Sequence, residues 1–129
     1  MFFWQKKKPS YERAMDWFKQ NMVTGQGIIV HTKQPVPYPE VTGYFIPTLY
    51  NWGEKELART CTKWLLSIQL PDGAFPAPDG VPYTFDTAQV MRGLCAAGQF
   101  HTNADHRQGR RRTPGRLGHI PRDLHFKFQ

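Results

Sequence analysis

The sequence has no long apolar run. Nothing in it approaches the roughly 18–20 residues of a membrane-spanning helix, so no membrane span is expected. It has only two cysteines, Cys61 and Cys95, and neither has a second Cys or a His at metal-ligand spacing. A disulfide scaffold and a cysteine-based metal site are therefore not expected. Both thiols read as free and buried, in a reducing compartment. There is no Gly-rich phosphate loop, no Gly-x-Ser-x-Gly elbow and no His-Glu-x-x-His pair. No metal and no cofactor is expected from this inventory. The N-terminus, Met1-Phe2-Phe3-Trp4, is apolar, but Lys6, Lys7 and Lys8 follow it. A signal peptide carries its charges first and has a longer apolar stretch, so the expected location is cytoplasmic.

What is present is a globular composition, 40% hydrophobic and 14% aromatic over 129 residues. The net charge of +7 invites a nucleic-acid reading, but its distribution argues against one. Residues 1–100 carry 10 Lys and Arg against 8 Asp and Glu, whereas residues 101–129 carry 7 against 2. The basic character belongs mostly to the last stretch.

Ser10 opens a helical pattern in which Tyr11, Met15, Phe18 and Met22 share one face, and Thr24-Gly25-Gln26-Gly27 stops it. Gly27 to Gln34 reads as short and extended or irregular. Pro35, Pro37 and Pro39 are expected to forbid regular structure up to Glu40. A second helix is expected over Val41–Trp52, kinked or delayed by Pro47 and stopped by Gly53. Glu54–Gln69 gives the clearest helical stripe: Leu57, Cys61, Trp64, Leu65 and Ile68. A turn-rich loop over Leu70–Tyr83 carries Asp72-Gly73 and Asp79-Gly80. A fourth helix is expected over Phe85–Ala97, with Val90, Met91, Leu94 and Cys95 buried and Gly98 as its stop.

The second half repeats the first. Pro37-Tyr38 recurs as Pro82-Tyr83, Thr42-Gly43 as Thr87-Ala88, Phe45-Ile46 as Val90-Met91, Leu49 as Leu94 and Gly53 as Gly98, all 45 positions on. The preceding helices match loosely, Trp17 and Gly27 answering to Trp64 and Gly73 with one residue of slippage. The unit is a helix, a loop with Pro-Tyr, a second helix and a glycine. Such hairpins cover their apolar faces by stacking on neighbours.

The segment Gln69-Leu70-Pro71-Asp72-Gly73-Ala74-Phe75 fits the Gln-x-x-x-Gly-x-aromatic core of the QW repeat of terpenoid cyclases. With Trp64-Leu65-Leu66 before it and Phe85-Asp86-Thr87-Ala88-Gln89-Val90 after it, the chain resembles the repeats of the α/α-toroid superfamily, the terpenoid cyclase/prenyltransferase-like and six-hairpin proteins. The resemblance covers about residues 10–98. It implies an all-α fold of stacked helical hairpins, two units of an incomplete toroid. Residues 1–9 would be an N-terminal arm and residues 99–129 a basic, low-order tail. A closed ring needs more units than two, so the chain reads as a truncated or frameshifted fragment. Three readings of the tail stay open: a basic arm around Gln108-Gly109-Arg110-Arg111-Arg112, a disordered native extension, or an out-of-frame translation of the next hairpin. Its histidines, such as His119 and His125, make a weak metal site.

The resemblance places the second helix of each unit around a cavity whose rim the Pro-Tyr loops form. Glu40 and Asp86 would then stand at equivalent levels, near Tyr38, Tyr83, Tyr44 and Gln89. Two carboxylates in a polar, aromatic setting suit general acid–base work on a sugar, and tyrosine can carry protons in lyase or epimerase chemistry. The candidate catalytic residues are thus Glu40, Asp86, Tyr44 and Tyr83, and the candidate substrate-binding residues are Tyr38, Gln89 and His31. Each has a plainer reading. Asp86 and Glu40 begin helices and complement their dipoles. Asp72 and Asp79 are turn residues, Gln69 bonds backbone of the next repeat, and His31 is an ordinary exposed residue.

Three functions remain open. The first is a carbohydrate-active enzyme relative, inactive as this chain, with a carbohydrate substrate. The second is an isoprenoid cyclase or prenyltransferase relative. The third is an interaction module whose partner chain completes the ring. Nucleic acid is not an expected partner.

Overall fold

The computed structural model describes the backbone of residues 7–108 and the side chains of residues 7–98. The tail from 109 onward and the histidines of residues 101–129 lie outside the described side chains, as does the aromatic N-terminus.

The order of elements is α1 (Ser10–Gln20), β1 (Ile29–His31), β2 (Gln34–Pro37), α2 (Pro39–Asn51), α3 (Lys55–Ser67) and α4 (Thr84–Gln108). The all-α expectation is corrected: among the described residues the chain builds four helices and a two-stranded antiparallel sheet. The strands pair Ile29 with Pro37 and His31 with Gln34 across an irregularity. Pro35 and Pro37 fail as breakers for a simple reason. Each strand of a two-stranded ribbon has one unpaired edge, so a missing N–H on that side costs no ladder bond. Tyr38 closes the ribbon by donating its N–H to the Ile28 carbonyl, 2.9 Å.

Pro39 starts α2 at its first helical position, where a fixed φ helps and no N–H is needed. The helix therefore begins two residues before Val41. It ends as its glycine demands. Gly53 has φ +80° and donates to the Tyr50 carbonyl at 3.1 Å, while Glu54 donates to Leu49 at 2.9 Å. Gly98 does no such thing. It lies inside α4, which runs on to Gln108, because a helical glycine costs only about 1 kcal/mol relative to alanine and does not by itself end a helix.

The core gathers Phe18, Ile28, Ile46, Leu49, Leu65, Phe75, Val90 and Leu94, all nearly or wholly buried. The helix stripes are mostly met. Met15 and Phe18 of α1 are buried but Tyr11 is 57% exposed, and Cys61 is buried while Cys95 is exposed. The largest helix–helix contact joins α2 and α4. It depends on two glycines. A Cβ on Gly43 would stand 2.5 Å from the Val90 Cα, and a Cβ on Gly93 would overlap the Gly43 carbonyl and Cα. Pro47, four residues after Gly43, has no N–H to offer that carbonyl, and Gly93 packs on it instead.

The repeat is present as hydrogen bonds. Val23 donates to the Gly27 carbonyl as Leu70 does to Ala74, both at 2.9 Å. The Thr42 hydroxyl accepts the Ile28 N–H at 3.0 Å, and the Thr87 hydroxyl accepts the Phe75 N–H at 3.1 Å. The N–H groups of Thr42 and Thr87 go to the carbonyls of Tyr38 and Tyr83. Before the loops the offset is thus 47 residues (Ile28 to Phe75), and after them it is 45. The second unit's loop is two residues shorter, not one. It forms a single bridge, Pro76 to Pro82, where the first forms a hairpin.

Candidate functional site

The start of α2, the start of α4 and the 76–82 loop bring several of the expected residues together. Tyr38 precedes α2, and its hydroxyl donates to Asp86 Oδ2 in the first turn of α4 at 3.3 Å. Asp86 is 8% exposed. Glu40 lies in the first turn of α2. Burial first, and then the charge of Asp86, push the Glu40 carboxyl above its ordinary range. The two acids therefore interact as like charges do. Burial, and then the Asp86 charge and hydrogen bond, raise the Tyr38 phenol as well.

Tyr83 joins the group through a residue read from sequence as a turn former. Its hydroxyl donates to Asp79 Oδ2 at 2.8 Å, and this bond raises the phenol. Asp79 also accepts the Val81 N–H at 2.9 Å, so its carboxyl is held below the usual range, chiefly by that backbone donor and next by Tyr83. The turn reading of Asp79 holds, and its second bond was legible only as a four-residue spacing to Tyr83. Asp72 is a plain turn residue that accepts the Ala74 N–H at 3.0 Å. Gln69 bonds the Gly73 carbonyl of its own turn, 3.0 Å away, rather than backbone of another repeat.

A cleft of about 420 Å³ opens beside Tyr38. Val30, His31, Gln34 and Val36 of the hairpin line one part of it, and Ala77, Pro78 and Asp79 of the 76–82 loop line another. His31 is exposed, and its Nδ1 accepts the Lys33 N–H at 3.0 Å. Tyr38, His31 and Asp79 thus share one concave surface. Glu40 and Asp86 do not line it.

Tyr44 and Gln89 stand apart from the cleft. Tyr44 is half exposed, with the Arg92 guanidinium 5.9 Å from its ring centre, a cation–π contact across 48 residues that no local pattern signals. Gln89 carries a buried Oε1 that accepts no hydrogen bond among the described residues.

Among the described residues no group of three or more His, Cys, Asp and Glu side chains is placed to hold a metal ion. None of the described helices is long and apolar enough to cross a membrane. No family profile matches the chain, and neither a curated protein nor a solved structure does.

Proposed function

We propose that the cleft binds a carbohydrate, in a protein related to carbohydrate-active enzymes, and that this chain binds without turning its ligand over. One observation carries the reading. A single concave surface combines an aromatic ring, Tyr38, with polar groups of several kinds, His31, Gln34 and Asp79, between the apolar walls of Val30, Val36 and Pro78. Sugars present the same mixture, with C–H faces that stack on rings and hydroxyls that both donate and accept. The volume is within the range of small-molecule sites. The reading of the chain as inactive rests on the carboxylates. Glu40 and Asp86 lie outside the cleft lining, and the Tyr38 hydroxyl engages Asp86. Two free thiols favour a reducing, cytoplasmic setting.

The test is a titration of the ¹⁵N-labelled chain with neutral mono- and disaccharides, followed by amide shifts. Shifts at Gln34, Tyr38 and Asp79 that vanish in Tyr38→Ala support the reading. The apolar walls also favour a second reading, an isoprenoid ligand. Shifts with a polyprenyl phosphate and none with sugars replace the first reading with the second. Hydrolase, lyase or epimerase turnover by the purified chain overturns the statement that it is inactive.

A further inference from the structure

We propose that the cleft selects an amino sugar, one carrying a free ammonium group, over a neutral or an acidic sugar, and that the Asp79 carboxylate and the Tyr38 hydroxyl receive the ammonium. The inference rests on the carbohydrate reading and names the charge class of its ligand.

It starts from the hydrogen-bonding roles still open on each wall. Asp79 Oδ1 accepts the Val81 N–H at 2.9 Å, and Oδ2 accepts the Tyr83 hydroxyl at 2.8 Å. These donors fix the carboxylate on its loop. An ionised carboxylate has about four lone-pair positions, so Asp79 can still accept but cannot donate. The Tyr38 hydroxyl gives its only proton to Asp86 Oδ2, at 3.3 Å. Its oxygen is left as an acceptor too. The hairpin wall differs. His31 Nδ1 accepts the Lys33 N–H, so the neutral ring carries its proton on Nε2 and donates there. Gln34 both donates and accepts.

An ammonium group suits the first wall, since it has several donors and no acceptor. A sugar hydroxyl has a single proton and serves only one of Asp79 and Tyr38. Hydroxyls suit the second wall, where His31 donates and Gln34 does either. Charge points the same way. The Asp79 carboxyl is held below its usual range, chiefly by the Val81 N–H, so it stays ionised. After burial, the charges that raise the Tyr38 phenol are those of Asp86, Glu40 and Asp79, with no cation among them. No Lys or Arg lines the cleft, and Lys33, in the turn of the hairpin, is not part of its wall. An acidic sugar therefore meets its own sign and an ammonium the opposite one. Asp79 is exposed, so the advantage is that of a surface ion pair, modest and sensitive to salt.

The test follows the amide shifts of the full 129-residue chain at about pH 8, where an alkylammonium keeps its proton. The ligands are glucose, the glucose analogue whose primary hydroxyl is replaced by an amine, the N-acetyl derivative of that analogue, glucuronate and propylamine. The amino sugar is expected to bind about three- to tenfold tighter than glucose, with the advantage shrinking as salt rises. The N-acetyl derivative is expected to bind no tighter than glucose, and glucuronate more weakly. Asp79→Asn keeps an oxygen for the Val81 N–H and so keeps the turn, and in it the amino sugar and glucose are expected to bind alike. Equal binding of the two on the parent chain overturns the inference and leaves the carbohydrate reading standing. An advantage that survives Asp79→Asn also overturns it, since the ammonium is then not held there. Propylamine binding as tightly as the amino sugar overturns both, because the site then takes amines rather than sugars. Shifts with none of these ligands overturn both as well.

Discussion

Replacing Gly93 with alanine puts a methyl group where the chain has backbone. The nearest atoms to that methyl are the carbonyl oxygen, carbonyl carbon and Cα of Gly43. None of these can swing aside as a flexible side chain does, so α2 and α4 must separate. Overpacking of this kind costs roughly 1–3 kcal/mol, and an overlap with backbone belongs at the upper end. Alanine returns about 1 kcal/mol, since it is the better helix former. The net expectation is a loss of about 2 kcal/mol, or roughly 8–16 °C in Tm for a domain of this size. Urea unfolding followed by circular dichroism measures it, with the m-value checked for constancy. Ala88→Gly is the control, because it sits on the exposed side of the same helix and is expected to lose only about 1 kcal/mol through propensity. A Gly93→Ala chain as stable as the parent refutes the reasoning, for the two helices then do not cross at these glycines.

Other outcomes follow from single groups. Thr42→Val leaves the buried Ile28 N–H without its acceptor and is expected to cost about 1–3 kcal/mol, more than Thr87→Val, whose Phe75 N–H is only partly buried; equal losses in urea unfolding would count against the burial argument. The Glu40 carboxyl is raised in the folded chain, so its ionisation works against folding. Its favourable effect is complete below the unfolded value of about 4.5 and is lost as pH rises through the folded value. Glu40→Gln is therefore expected to melt above the parent at pH 7, with the gap closing toward pH 4, as read by thermal melts across that range. Burial pushes the Cys61 thiol up to about 12, whereas Cys95 is exposed. One thiol per native chain is expected to react with iodoacetamide at pH 8 and two after denaturation, counted by mass spectrometry.

Much of this architecture is legible in the residues. The Leu57–Ile68 stripe marks α3, Gly53 marks the end of α2, and Asp72-Gly73 and Asp79-Gly80 mark turns, in each of which the Asp carboxylate accepts a backbone N–H. The departures from local expectation arise where the outcome depends on context beyond the local residues. Three prolines in five residues are breakers locally, yet β2 needs a partner on one side only. Gly98 resembles a stop because Gly53 is one, but only Gly53 has positive φ among the two. The pairing of Tyr38 with Asp86 follows from the helix starts that the repeat aligns, and those residues meet. The cleft has no such signature, because its two walls are about 40 residues apart in the chain and their separation is set by tertiary packing.

That cleft can be traced to the one place where the repeat is unequal. Between the matched positions Ile28 and Tyr38 the first unit has two more residues than the second has between Phe75 and Tyr83, and it uses them for a paired hairpin. Val30, His31, Gln34 and Val36 all come from this longer loop, and they face the shorter one at Ala77, Pro78 and Asp79. Space remains because one wall extends further than the other. Inserting two glycines between Pro78 and Asp79 gives the second loop equal length while leaving the Thr87 and Phe75 anchor bonds outside the change. Loops of this kind tolerate insertion at small entropic cost, about 0.6 kcal/mol for a doubling of length. The expected result is a chain with unchanged helicity that no longer shows sugar-dependent amide shifts at Gln34 and Tyr38. If the insertion leaves the shifts intact, loop inequality is not what makes the binding surface, and the site must be sought on the α2–α4 side around Tyr44 and Gln89.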